Sequence, residues 1–135
     1  MEEIPIRKQC STAAVIIHHD KVLLLKRAKK SRWSTWEVPG GKCSRNDGNT
    51  VTCLMREVKE ETNLEVKPNK YLGAIMYQVG KQEHPQHGYL CSLISAVSQL
   101  HLNAEEHTES RWVNKKEVNA LVDDKELAGQ ILEAM

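Results

Sequence analysis

The chain has 135 residues, with 19 Lys and Arg against 18 Asp and Glu and a formal charge of +1. That length fits one domain with a real core, and the balanced charge excludes a strongly basic nucleic-acid binder or an acidic tail. Apolar content of 40% and charged content of 27% are those of an ordinary soluble globular protein, and no segment is apolar and long enough to span a bilayer.

The N-terminal run Met1 to Lys8 lacks the apolar core of a secretory signal, so a cytoplasmic location is expected. The four cysteines, Cys10, Cys43, Cys53 and Cys91, are scattered without a C-x-x-C pair or a zinc spacing, and reduced thiols are expected. Ser11 to Ile17 and Lys21 to Lys26 flank His18-His19-Asp20 and read as a hairpin or two adjacent strands. Val22 to Leu25 is a continuous apolar run, as in a strand buried on both faces. Arg27 to Thr35 is a basic loop containing Lys29, Lys30 and Arg32, either solvated or facing phosphate. Trp36 to Val38 is a short strand stopped by Pro39-Gly40-Gly41, breakers that also let the backbone approach a ligand.

After a polar loop from Lys42 to Asn49, a helix is predicted from about Thr50 to Thr62. Asn49 or Thr50 can cap it, Asp47 suits its positive end, and Asn63 can take the left-handed conformation that ends it. Leu64 to Val66 starts an extended segment before Pro68-Asn69. Tyr71 to Val79 and Gly88 to Val97 read as strands joined by a loop, Gly80 to His87. The pair His84 and His87 in that loop has a spacing that can hold metal, but with no zinc pattern around it a solvated loop is the simpler reading. Leu100 to Ser110 is polar and acidic, with Glu105, Glu106 and Glu109. Arg111 to Val113 is strand-like, and Asn114 to Met135 is helical with a break near Asp123-Asp124. Strands, a crossover helix, more strands and closing helices indicate a layered α/β or α+β domain.

On the predicted central helix, Glu57, Glu60 and Glu61 stand at spacings i, i+3 and i+4, an arc of about 100°. Val51, Leu54, Met55 and Val58 occupy the neighbouring arc. One side therefore enters a core while the next presents three acids. By itself such a run is a solvated face with ion pairs; in a site, a hard divalent cation is the obvious candidate to meet it.

Taken together, Trp36-Glu-Val-Pro-Gly-Gly-Lys42, the polar loop and Arg56-Glu57-Val58-x-Glu60-Glu61-x-x-Leu64 resemble the Nudix box of the MutT-type hydrolases. Glu-His-Thr-Glu-Ser-Arg-Trp-Val, ending at Val113, resembles the family's later acidic loop and strand. The resemblance covers roughly Ser11 to Leu132. It implies a Nudix-like α/β/α sandwich with a mixed central sheet, one domain over residues 1–135, and a box at about 41–64. It also implies hydrolysis of a pyrophosphate bond in a nucleoside diphosphate linked to X, dependent on Mg²⁺ or on Mn²⁺ in its place. A nucleoside triphosphate yielding monophosphate and pyrophosphate is the leading substrate. ADP-ribose, nucleotide sugars and dinucleoside polyphosphates are alternatives, as is an impaired nucleotide-binding sensor. The partner is then a small nucleotide, with no stable nucleic-acid binding and no membrane, and the chain a monomer or homodimer.

Residue by residue, the resemblance assigns Gly40, Glu57, Glu60, Glu61 and Glu106 to metal. It assigns Glu57, Glu60, Arg56 and Glu106 to catalysis, and Arg27, Gly41 and Lys42 to substrate. Arg56 is expected to orient a glutamate through a bidentate pair rather than to touch substrate. Glu105 and Glu109 compete with Glu106 for the later acid. Trp33 and Trp36 are candidates to stack on a base, although Trp36 opens the strand that feeds the loop, which favours the core. Three departures stand out. The segment between Gly41 and Arg56 is one residue longer than the pattern, the family's loop glutamate is replaced by Asp47 or Gly48 depending on the direction of counting, and Asn63 stands where the pattern has glycine.

Overall fold

The computed structural model describes residues 1–29 and 35–135. The expectations for Lys30, Arg32 and Trp33 fall outside the described residues.

β1 (Ser11–His18) and β2 (Lys21–Arg27) form the first hairpin, turned by His19 and Asp20 at φ 49° and 63°. They pair only at the turn end, Ile17 opposite Val22 and His18 opposite Lys21. Beyond that point a second segment fills the space between them. β3 (Trp36–Glu37) pairs with β2, and β4 (Gly40–Lys42) pairs with β1. The glycine run expected to break a strand is thus itself a strand. It lies so close to β1 that a Cβ on Gly40, at φ 149°, would come within 2.8 Å of the Thr12 carbonyl carbon. Only glycine fits there.

The expected loop Gly80 to His87 shrinks to a turn at Gly80-Lys81, joining β5 (Val66–Val79) to β6 (Gln82–Leu93). The polar composition of Gln82 to His87 concealed a strand held along its length by β5 and, from Gln86 on, by β1 as well. Gln82 to His87 pairs with Ala74 to Val79, and Gln86 to Cys91 runs parallel to β1. Pro68 and Asn69 lie inside β5, where the register shifts between Pro68 and Lys70; a bulge is one of the few places a strand tolerates proline. β6 stops at Leu93, and Val97–Gln99 is a short 3-10 turn rather than the end of a strand. β7 (His107–Val113) begins four residues before the expected Arg111 and pairs with β2. The sheet order is β3–β2–β1–β6–β5, with β4 on β1 and β7 on β2. One parallel pair among antiparallel ones makes it a mixed sheet.

Alternation sorts the strands onto two faces. α1 (Thr50–Thr62) brings Val51, Leu54 and Val58 against Ala14, Ile16, Leu23 and Leu25. On the other face α2 (Lys115–Leu121) and α3 (Lys125–Ala134) bring Val118, Leu127 and Ile131 against Ala13, Val15, Val22 and Leu24. The result is the α/β/α sandwich the sequence implied. Met55, expected to share the apolar arc of α1, is 40% exposed instead. Asn49 caps α1 by accepting from Thr52 N at 2.9 Å, and Asn63 ends it in the left-handed region at φ 62°.

The thiol expectation fails at two positions. Cys43 and Cys53 are joined as a disulfide, with Cα atoms 5.4 Å apart, while Cys10 and Cys91 are free and buried. β4 delivers Cys43 beside the first turns of α1, a proximity that scattered spacing does not reveal. Among the described residues, no helix is long and apolar enough to cross a membrane.

Candidate active site

α1 is anchored at its start. Thr50 N donates to Ile4 O at 2.9 Å, Ile4 N donates to Thr50 Oγ1 at 3.1 Å, and Thr50 and Tyr89 share a hydroxyl contact of 2.6 Å. From this anchor the helix runs past β4. Glu61, 7% exposed, accepts a 2.9 Å hydrogen bond from Gly40 N. Glu57 lies against Gly41 so tightly that a Cβ there would be 2.7 Å from the Glu57 carboxyl carbon. The two glycines therefore serve the acids as much as the turn.

The facing wall comes from β2, β3 and β7. The register of β2 against β7 shifts between Lys26 and Arg27, so that Lys26 faces Glu109 while Arg27 faces His107. Such a bulge re-aims side chains next to a site. His107, 2% exposed, makes a 2.8 Å hydrogen bond from Nε2 to Glu37 Oε2, and Arg27 Nη1 reaches the same carboxylate at 3.1 and 3.2 Å. Ligand atoms of Glu61, Glu106 and His107 all lie within 4.8 Å of one another. This group lines a cleft of about 750 Å³ whose walls also include Arg27, Lys29, Lys42, Tyr77 and His84.

The acids repel. Burial first, and then the nearby carboxylates of Glu37, Glu106 and Glu57, push Glu61 up to about 8, with the Gly40 N–H only partly opposing them. Burial also raises Glu57, against the pull of Arg56. At the outer edge Arg56 makes a fork to Asp47, Nε to Oδ1 at 2.6 Å and Nη2 to Oδ2 at 2.8 Å. Its Nη1 reaches Glu57 at 3.0 Å and Glu60 at 3.1 Å. Hydrogen bonding from Arg56 holds the Asp47 carboxyl below the usual carboxylate range. Asp47 also caps its own short 3-10 turn (Arg45–Asp47) through Ser44 N at 2.8 Å, so it ties the loop to the helix.

The structure brings Glu57, Glu61, Glu106, Gly40, Gly41, Lys42 and Arg27 to the cleft. Glu60 is not brought there: its side chain is 58% exposed and paired with Arg56. Arg56 makes a bidentate pair, but its fork is to Asp47 instead of the expected glutamate. Glu105 lines the cleft, whereas Glu109 is paired with Arg111 at 2.7 Å on β7. Trp36 is 7% exposed and belongs to the core. His84 and His87 do not converge, and His87 Nδ1 meets Tyr71 OH at 2.8 Å. Sequence reasoning missed Glu37 and His107. Both sat inside quoted runs, next to residues that were noticed, but only the strand register shows that they meet.

A family model described as the NUDIX domain matches residues 8–135. The chain belongs to the Nudix hydrolase family. Among curated relatives, the mRNA-decapping protein g5R of African swine fever virus is 28% identical over 95 residues, 67% of this chain and 38% of that protein. The match thus spans well under half the length of that relative. Among solved structures, a MutT protein from Methanosarcina mazei superposes with a TM-score of 0.73 at 23% identity, covering 98% of this chain and 94% of the other. A C. elegans Ap4A hydrolase gives a TM-score of 0.76 at 18% identity, covering 90% and 91%. At these identities the structural likeness shows a shared Nudix fold.

Proposed function

We propose that the chain hydrolyses the pyrophosphate bond of a nucleoside diphosphate linked to a further group, with a nucleoside triphosphate as the leading substrate. The observation that carries this reading is the packing of Glu57 and Glu61 on the Gly40–Gly41 strand, with Glu106 beside Glu61, in a cleft that also holds Arg27, Lys29 and Lys42. A cleft of this volume falls within the range of about 300–1,000 Å³ typical of small-molecule sites.

The donor set fits a hard divalent cation. Carboxylates that repel one another, one of them buried with its pKa raised to about 8, accept a cation in place of a proton. We assign Glu57, Glu61 and Glu106 to hold Mg²⁺, or Mn²⁺ in its place. The Gly40 carbonyl is the neutral member, and Glu60, paired with Arg56 outside the cleft, stays out of the set. When bound, the ion supplies Lewis-acid polarisation of phosphoryl oxygen and acidifies the attacking water. Glu57 stands beside Gly41 as the group that takes the proton of that water. Arg27, Lys42 and the Gly41 backbone meet the phosphate chain, offsetting its charge. Water adds across the P–O–P bridge, so that one product gains the hydroxyl oxygen and the other leaves as a phosphate. Arg56 acts through Asp47, Glu57 and Glu60 and holds the loop and the acids in register.

A panel of nucleoside triphosphates, ADP-ribose, a nucleotide sugar, a dinucleoside polyphosphate and a cap dinucleotide, with and without Mg²⁺, tests this reading. Metal-dependent cleavage is expected, read as pyrophosphate from a triphosphate or as two smaller phosphorylated products from the other substrates, and lost in Glu61→Gln. Binding without turnover across the whole panel would replace the enzyme with a nucleotide sensor.

A further inference from the structure

The hydrolase reading uses the acids of the cleft and leaves His107 without a part. Its placement is too specific for a core histidine. Nε2 makes a 2.8 Å hydrogen bond to Glu37, and Glu37 is in turn held by Arg27 at 3.1 Å. With the Nε2 proton donated to a carboxylate, Nδ1 is left as the lone-pair nitrogen. That Nδ1 is buried and has no hydrogen-bond partner among the described residues, on a side chain only 3% exposed. Leaving a buried acceptor unmatched is costly. Here the cost falls where a ring nitrogen of His107 lies within 4.8 Å of Glu61 and Glu106 oxygens. A carboxylate that fixes the tautomer and orientation of an imidazole beside a pair of acidic side chains is an arrangement found at metal-bound histidines.

We propose that His107 is a direct nitrogen ligand of the cation held by Glu61 and Glu106, with Glu37 and Arg27 as the residues that position it. This rests on the metal-dependent hydrolase reading and adds an element to it. Imidazole favours borderline first-row transition cations, whereas Mg²⁺ favours oxygen alone. The site therefore prefers a transition divalent cation to Mg²⁺, and it owes that preference to His107.

Pulsed electron paramagnetic resonance of the chain loaded with Mn²⁺ alone tests the bond directly, and calorimetry with Co²⁺ and Mg²⁺ tests the preference. The Mn²⁺ signal is expected to carry nitrogen modulation, lost in His107→Gln and kept in His84→Gln, whose histidine also lines the cleft. Affinity for Co²⁺ should fall at least about tenfold in His107→Gln, and that for Mg²⁺ far less. Should circular dichroism show that His107→Gln does not fold, ¹⁵N-histidine labelling of the His84→Gln chain reads the same coupling from a native His107. Bound Mn²⁺ with oxygen ligands only, nitrogen modulation that survives His107→Gln, or equal losses for Co²⁺ and Mg²⁺ would overturn the proposal and leave the hydrolase standing. Absence of both Mn²⁺ binding and metal-dependent turnover would remove the hydrolase reading as well.

Discussion

Glu60 and Glu61 are adjacent on one helix and were indistinguishable by spacing, yet they belong to different regions of the molecule. Glu61 is 7% exposed and tied to the Gly40 N–H, facing Glu106 and His107 across the split between β1 and β2. Glu60 has a 58% exposed side chain and joins Arg56 and Asp47 at the outer edge, where the loop meets the helix. The inner region gathers like charges around Glu61. The outer region neutralises its charges within the protein. A helical face places acids side by side, but the strand packed against it decides which of them becomes a site.

The largest effect that follows is on turnover. Glu61→Gln keeps the shape and the Gly40 contact while removing the charge, and should lower kcat/KM by about 10²–10³-fold. Glu60→Gln should cost about tenfold or less, since its loss falls on an exposed pair. Initial rates on whichever substrate the panel identifies make the comparison. Equal losses would erase the distinction between the two regions and return Glu60 to the inner set.

The disulfide strengthens the outer region. It closes a loop with a sequence separation of 10, for which chain entropy gives about 2.7 kcal/mol as an upper figure. Urea unfolding with and without a dithiol reductant, and of a Cys43→Ser/Cys53→Ser chain, should show a loss approaching that size. The bond formed by Cys43 with Cys53 was not legible in the sequence, because nothing local indicates that β4 returns along α1. The same limit hid Glu37 and His107, which meet across 70 positions of sequence. By contrast α1 was legible almost to the residue. Its signals are local: the apolar spacing of Val51, Leu54 and Val58, the Asn49 cap and the left-handed Asn63. The long β6 was not, because Gln82 to His87 is polar and owes its extended form to β1 and β5.

Titration separates the two regions by sign. Glu61 is raised in the fold from 4.5 to about 8. Between those values the unfolded chain has released the proton that the folded chain keeps. Its contribution to metal-free stability therefore falls as pH rises through that window and levels off above it. Asp47 is lowered, so its contribution is present above 3.8 and is lost as pH falls through the depressed folded value. Cation binding displaces the Glu61 proton, and affinity should rise with pH by up to about tenfold per unit until near pH 8, then flatten. Calorimetric titration in buffers of different ionisation heat counts that proton. An affinity flat from pH 5 to 8 would mean that Glu61 is not the group the cation replaces.

The smallest effect addresses the residue by which this chain departs from the family's box. Asp47 stands in the lengthened loop, and its shorter side chain reaches Arg56 because the 3-10 turn folds the additional residue back toward α1. Asp47→Asn retains the shape and removes the charge from the fork. With the Arg56 side chain 34% exposed and that of Asp47 5%, the pair is half-buried and the cost should be about 2 kcal/mol in stability. Coupling to Glu60→Gln in a double-mutant cycle should be smaller still, because Arg56 keeps Glu57 when either partner is lost. Asp47→Glu sharpens the point. A longer acid in a lengthened loop must displace the turn or the guanidinium, so restoring the family's residue type alone should fail to stabilise the chain. If Asp47→Glu proved more stable than the natural sequence, the loop would have been waiting for a glutamate, and the additional residue would owe its place to something other than Arg56.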